Sequence, residues 1–216
     1  MSSMNVIIAD DHSITRLGLS IICKEALPQA IIHEVATISS LYQQIRLIKP
    51  NLLILDLYID DTNCLTTIPE LLEIQPNLNI LVITMASENT FGNRVLLSGA
   101  KGYVNKLNEN AILKTAILRV SNGQHYVSQE MYMNHLTALS GKNEAMNPFT
   151  KLTDKELEMV HYFIEGFSTS EISDKARLAL STVSTYKNRI FTKLNIDNLR
   201  DLINLVETFK INKNSP

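Results

Sequence analysis

Four short apolar runs end in polar side chains: VIIA in Asp10 and Asp11, LLIL in Asp56, ILVI in Thr84, and YVN in Lys106. If the fold gathers these residues, three carboxylates, a hydroxyl and an ammonium share one place. Three carboxylates within a few ångströms repel one another unless a cation joins them, and one lysine is too little compensation. Hard oxygen donors of this kind suit Mg2+, which keeps several waters and needs few protein carboxylates. Such a cluster is equipped to accept a phosphoryl group. One aspartate acts as nucleophile, the metal and the lysine neutralise phosphoryl oxygens, and the hydroxyl hydrogen-bonds one of them. An aspartate after a strand is ordinarily a turn or cap residue, and Asp11 alone fits that role ahead of a helix from Ser13. Four runs that all end this way point to a site.

For these residues to meet, the runs must be neighbouring parallel strands. Runs rich in Ile, Val and Leu recur at NVIIA (5–9), IIHEVA (31–36), LLIL (52–55), ILVI (80–83) and GYV (102–104). Between them lie segments with helical spacing, such as Ile14, Leu17, Ile21 and Ile22, then Leu41, Ile45 and Ile48. Continuous apolar runs mark strands buried on both faces, and helical connections mark parallel crossovers. Pro28, Pro50, Gly99 and Gly123 stand where helices must stop. The pattern predicts a flavodoxin-like, doubly wound α/β domain with a five-stranded parallel sheet, whose ligands bind beyond the carboxyl ends of the strands.

Residues 126–139 carry the pattern of one more helix with Ser128 as N-cap, and 140–150 read as a polar linker. Beyond it the strand pattern vanishes. Leu157, Val160 and Ile164 form one helical stripe, closed by Gly166; a short helix is expected near Thr169–Ala176, a longer one through Val183, Tyr186, Ile190 and Leu194, and a last one along Leu199, Leu202, Ile203 and Val206. The expected domains are residues 4–122, a connecting helix and linker over 123–147, and a small all-helical domain over 148–213.

The net charge of −2 on 216 residues, 45% of them apolar, describes an ordinary globular chain. No run approaches the roughly 18 apolar residues of a membrane span, and the N-terminus lacks the basic flank of a signal peptide. Cys23 and Cys64 have no metal-ligand spacing, so a reducing cytoplasm is expected. One local feature departs from this. Lys175 to Ile196 contains five bases (Lys175, Arg177, Lys187, Arg189, Lys193) and no acid, which points to a polyanion partner for that part alone. On a helical wheel Val183, Tyr186, Ile190 and Leu194 share an apolar stripe. Ser181, Thr185, Asn188 and Thr192 lie opposite, flanked by Ser184 and Arg189. Hydroxyls and an amide edged by bases suit a DNA major groove, with the short preceding helix as support.

The run IIADDHSITRLGL (7–19), together with Asp56, Thr84 and GYVNK (102–106), resembles the receiver domain of bacterial two-component response regulators. LTDKELEMVHYFIEGFSTSEIS (152–173) with STVSTYKNRIFTKLNI (181–196) resembles the LuxR-type helix-turn-helix of the NarL/FixJ subfamily. The resemblance implies that Asp56 is phosphorylated by a sensor histidine kinase or phosphotransfer domain. Mg2+ would sit among Asp10, Asp11, Asp56 and the Tyr58 carbonyl, with Lys106 on the phosphoryl group and Thr84 and Tyr103 as switch pair. Ser181, Thr182, Ser184, Thr185, Lys187, Asn188, Arg189 and Lys193 would meet double-stranded DNA, as a homodimer in the active state. The protein would be a transcription regulator rather than an enzyme.

Some residues depart from the family pattern. Ile59, Asp60 and Cys64 replace the usual Met, Pro and Gly after the acceptor, which leaves that loop less preset, and Asp60 and Asp61 add negative charge. Ala179 replaces the Ser at the start of the recognition helix, with Ser181 as substitute cap. Two other functions compete for these residues. A phosphate-independent DNA-binding protein is compatible with the altered loop. A Mg2+-dependent phosphatase would require a general acid and a substrate cap, and the sequence displays neither.

Overall fold

The computed structural model describes residues 4–60, 62–129, 131–132 and 148–208. The chain divides into two compact units, Met1–Gly141 and Lys142–Pro216.

In the first unit the five apolar runs are strands β1 (Asn5–Ala9), β2 (Ile31–Val35), β3 (Leu52–Leu55), β6 (Asn79–Thr84) and β7 (Gly102–Asn105). They form one all-parallel sheet in the order β2-β1-β3-β6-β7. Helices α1 (Ser13–Ala26), α2 (Ile38–Ile48), α3 (Thr67–Ile74), α4 (Glu88–Leu97) and α5 (Asn110–Ser121) connect and cover it. Because side chains alternate along a strand, each central strand feeds two cores. Val6, Ile8, Leu52, Ile54, Leu81, Ile83 and Val104 join Leu19 and Cys23 of α1 and Leu113, Ala116, Ile117 and Val120 of α5. Ile7, Leu53, Leu55, Ile80, Val82 and Tyr103 are equally buried and turn to the opposite face. Cys23 is a small core residue, its thiol pushed up to about 11 by burial, which Lys24 only partly offsets.

Stops follow local chemistry. Gly99 adopts φ +105° after α4, where a Cβ would collide with Leu72. The strand periods leave one element unforeseen: β4 (Tyr58–Ile59) and β5 (Thr62–Asn63) form a small antiparallel hairpin just after Asp56. Ser128 accepts from the Met131 amide at 3.0 Å, as an N-cap does. The rest of the expected helix to 139, and the linker, lie outside the described residues.

The second unit opens with a 3-10 turn (Pro148–Lys151), followed by α6 (Asp154–Ile164), α7 (Thr169–Ala176), α8 (Leu180–Leu194) and α9 (Leu199–Thr208). Capping boxes start α6 (Thr153 with Glu156) and α7 (Ser168 with Glu171), each satisfying otherwise orphaned amides. Phe149, Leu157, Val160, Ile172, Val183, Ile190, Leu202 and Val206 are its buried core.

Candidate functional site

Parallel pairing brings the ends of β1, β3, β6 and β7 to one edge, and the polar residues arrive with them. Asp10, Asp56 and Thr84 are almost wholly buried. Lys106 reaches across, with Nζ 2.6 Å from Asp10 Oδ2 and 2.6 Å from Asp56 Oδ2. Asp10, Asp11, His12 and Asp56 each offer a ligand atom, all within 4.8 Å of one another. Asp11 is not a helix cap: His12 holds the N-cap position of α1, and its Nδ1 stands 2.6 Å from Asp11 Oδ1. The Asp60 amide donates to Asp11 Oδ2 at 3.3 Å, and Asp60 itself adopts φ +51°, the left-handed region that the altered loop has no glycine to supply.

Electrostatics sharpen the cluster. Burial lifts the Asp56 carboxyl above its ordinary range; Lys106 opposes this by charge and hydrogen bond, Asp10 adds to the rise, and Thr84 lowers it. Burial alone would lower the Lys106 ammonium, yet Asp56 and Asp10 outweigh it and hold that pKa above normal. Tyr103 is fully buried, with its hydroxyl donating to the Ala86 carbonyl at 2.6 Å. The Ala86 amide in turn donates to Thr84 Oγ1 at 3.4 Å. Thr84 and Tyr103 thus both bond Ala86, just ahead of α4. Two further residues, which no sequence pattern marks, bond the same edge. Arg16 Nη1 donates to the Asp10 carbonyl at 2.6 Å, and Asn105 Nδ2 to the Ala86 carbonyl at 3.2 Å.

In the helical unit, α8 buries Val183, Ile190 and Leu194 and leaves Ser181, Ser184, Thr185, Asn188, Arg189 and Thr192 exposed. Thr182 and Lys187 are half-buried at the flanks, and Lys187 Nζ lies 5.6 Å from the Phe191 ring centroid. The outward face holds hydroxyls, an amide and a guanidinium, a set that can read groove edges.

Residues 6–118 match the family described as response regulator receiver domain, and residues 150–206 match bacterial regulatory proteins of the luxR family. The oxygen regulatory protein NreC of Staphylococcus epidermidis is 30% identical over 207 residues, spanning 93% of this chain and 95% of that one. The chain belongs to the NarL/FixJ-type response regulators. Solved structures agree. The RcsB response regulator of Salmonella typhimurium superposes with a TM-score of 0.75 at 27% identity, over 97% of this chain and 99% of that one. RcsB of Salmonella enterica serovar Typhimurium, bound to promoter rprA in the presence of phosphomimetic BeF3-, gives a TM-score of 0.71 at 26% identity, over 95% and 100% of the two chains.

Within the DNA-binding unit of this response regulator, Lys193 and Ser181 have surroundings that the sequence does not show. Lys193 Nζ sits 2.6 Å from Oε2 of the buried Glu156 while its side chain keeps 36% exposure, so it braces α8 against α6. Burial would raise the Glu156 carboxyl, but hydrogen bonds from Lys193 and Thr153 win and hold it below the usual range. Ser181 does not cap α8. The N-cap is Ala179, without a side-chain cap, because the helix begins one residue before Ser181. On α9, Leu202 and Val206 are fully buried in their own unit, Leu199 is half-buried and Ile203 keeps 40% exposure.

Proposed function

We propose that this response regulator is switched by phosphorylation of Asp56 and thereby controls its own binding to double-stranded DNA. One observation carries the reading: Lys106 holds Asp10 and Asp56 together at 2.6 Å each, at an edge where a third carboxylate lies within reach. Asp56 is the nucleophile. One of its oxygens attacks the phosphorus of a phosphohistidine or small phosphodonor, the bond to the donor breaks, its electron pair leaves with the donor, and an acyl phosphate remains. The all-oxygen set of Asp10, Asp11, Asp56 and the Tyr58 carbonyl fits Mg2+, which when bound neutralises phosphoryl oxygens. Lys106 takes up the new charge, and the Thr84 hydroxyl turns toward it with Tyr103 behind.

The partners follow: a sensor histidine kinase or phosphotransfer domain upstream, and DNA downstream. Ser181, Thr182, Ser184, Thr185, Asn188 and Arg189 face the groove, and Lys187 reaches phosphates. A single helix-turn-helix reads only a few base pairs, so a homodimer on a repeated site is expected. The domains run 4–122 and 148–213. The reading entails work in the cytoplasm, as a regulator rather than an enzyme. Incubation with a small phosphodonor and Mg2+ tests it: the wild type gains one acid-labile phosphate and Asp56→Asn gains none, whereas equal labelling of both overturns the assignment.

A second reading has a specific observation behind it. Tyr103 is already buried with its hydroxyl on Ala86, and the acceptor loop carries Ile59, Asp60 and Cys64. A receiver preset in this way would bind DNA without phosphate, and Asp56→Ala would then match the wild type in DNA affinity.

A further inference from the structure

A second line of contacts leaves the acceptor loop without passing through Thr84 and Tyr103. The Tyr58 amide reaches Asp56 Oδ1 at 3.4 Å. The Tyr58 ring is buried and stands edge-on to Phe91 of α4, centroids 6.2 Å apart and planes at 88°. Edge-to-face pairs have preferred distances and angles, so a displaced Tyr58 displaces its partner.

The residue after Phe91 is Gly92, and another segment fills the space a side chain would take. A Cβ there would stand 3.0 Å from Met131 Sδ and 3.2 Å from its Cε. Met131, only 6% exposed, lies in the first turn of the connecting segment, capped by Ser128. The chain leading into that turn is fastened to the sheet. Tyr126 pairs with Gly102 at the free edge of β7, its amide donating to the Lys101 carbonyl at 2.9 Å and its carbonyl accepting from the Tyr103 amide at 3.3 Å. An open hollow of about 380 Å³, lined by Asn93, Leu96, Leu97, Val127, Met131 and Tyr132, adjoins the contact. It gives the Met131 thioether a second place to go, and methionine adapts to such gaps more readily than branched residues do.

Consecutive positions Phe91 and Gly92 therefore join α4 to the acceptor loop on one side and to the connecting segment on the other. We propose that Met131, seated against Gly92, is a latch that ties the connecting segment to α4 and passes the state of the acceptor loop to the DNA-binding unit. The latch rests on the functional reading above. Its coupling is a two-state contact, either seated or released into the hollow.

The test measures DNA affinity of the full chain with and without beryllofluoride and Mg2+, for wild type, Met131→Ala, Met131→Leu and Gly92→Leu. Met131→Ala empties the seat, and Gly92→Leu expels its occupant. In both, the ratio of activated to unactivated affinity is expected to fall by roughly fivefold or more, toward one. Phosphorylation by a small donor should keep the wild-type rate, and Met131→Leu should keep the wild-type ratio. Retention of the ratio in both disruptive variants overturns the latch, as does loss of phosphorylation in either. A wild type that shows no ratio overturns the functional reading, and the latch with it.

Discussion

Asp56 is asked to be ionised in a place that disfavours charge. Burial lifts its carboxyl, Asp10 adds repulsion, and Lys106 offsets only part of this. A carboxyl whose folded pKa is raised stabilises the fold below its unfolded pKa, and that contribution is lost as pH rises through the folded value. At neutral pH without Mg2+, Asp56 therefore costs stability, and Asp56→Asn is expected to raise the Tm. The gap should narrow as pH falls toward 4, or when Mg2+ is added; thermal melts across pH check both. An Asn variant less stable than wild type at pH 7 would contradict the electrostatic account. These residues were legible because each follows an apolar run, and a parallel sheet brings run ends together. The Lys193–Glu156 pair was not. It joins residues 37 apart in sequence across two helices, and no local period marks a lysine that turns inward.

Helix α8, the proposed recognition helix, combines a polar outward face with an uncapped start. Ala179 has the extended backbone of an N-cap (φ −66°, ψ 145°) but no side-chain acceptor. Ala179→Ser should stabilise the helical unit by about 1 kcal/mol, seen as a higher melting temperature. Its flanks make distinct predictions. Lys187→Ala should weaken binding to all duplexes alike and lower the salt slope by about one. Asn188→Ala should cost about 1–3 kcal/mol on the specific duplex and relax preference at one base position. Lys193→Ala should act differently from both, because it strands the buried Glu156 carboxylate: the unit melts earlier and the salt slope stays unchanged. The pair also sets an acid limit. A carboxyl held below its unfolded pKa contributes stability above that value and loses it as pH falls through the folded one, so the clamp weakens only at pH below about 4.5. Helices and long strands could be read because their periods repeat over several residues. The β4–β5 hairpin has two residues per strand, too few for any alternation to register.

The whole molecule joins a receiver unit to a luxR-family unit, and each alone is an ordinary fold. The division into two units follows from a change of period, strand and helix alternating first and helices alone afterwards. An apolar stripe, by contrast, looks alike in sequence whether it packs its own domain or a second copy. Leu202 and Val206 do the former. The proposed function still calls for two copies, since single reading modules of this kind bury little surface and bind weakly at physiological salt. The central claim is that phosphate on Asp56 governs DNA binding. The most direct test titrates one specific duplex with the full chain before and after treatment with a small phosphodonor and Mg2+, beside Asp56→Ala. Phosphorylated wild type should bind about tenfold or more tightly than untreated wild type, a coupling within the usual allosteric range, and Asp56→Ala should not respond to the donor. Equal affinity for all three would contradict the claim and leave a receiver that no longer controls the DNA-binding unit.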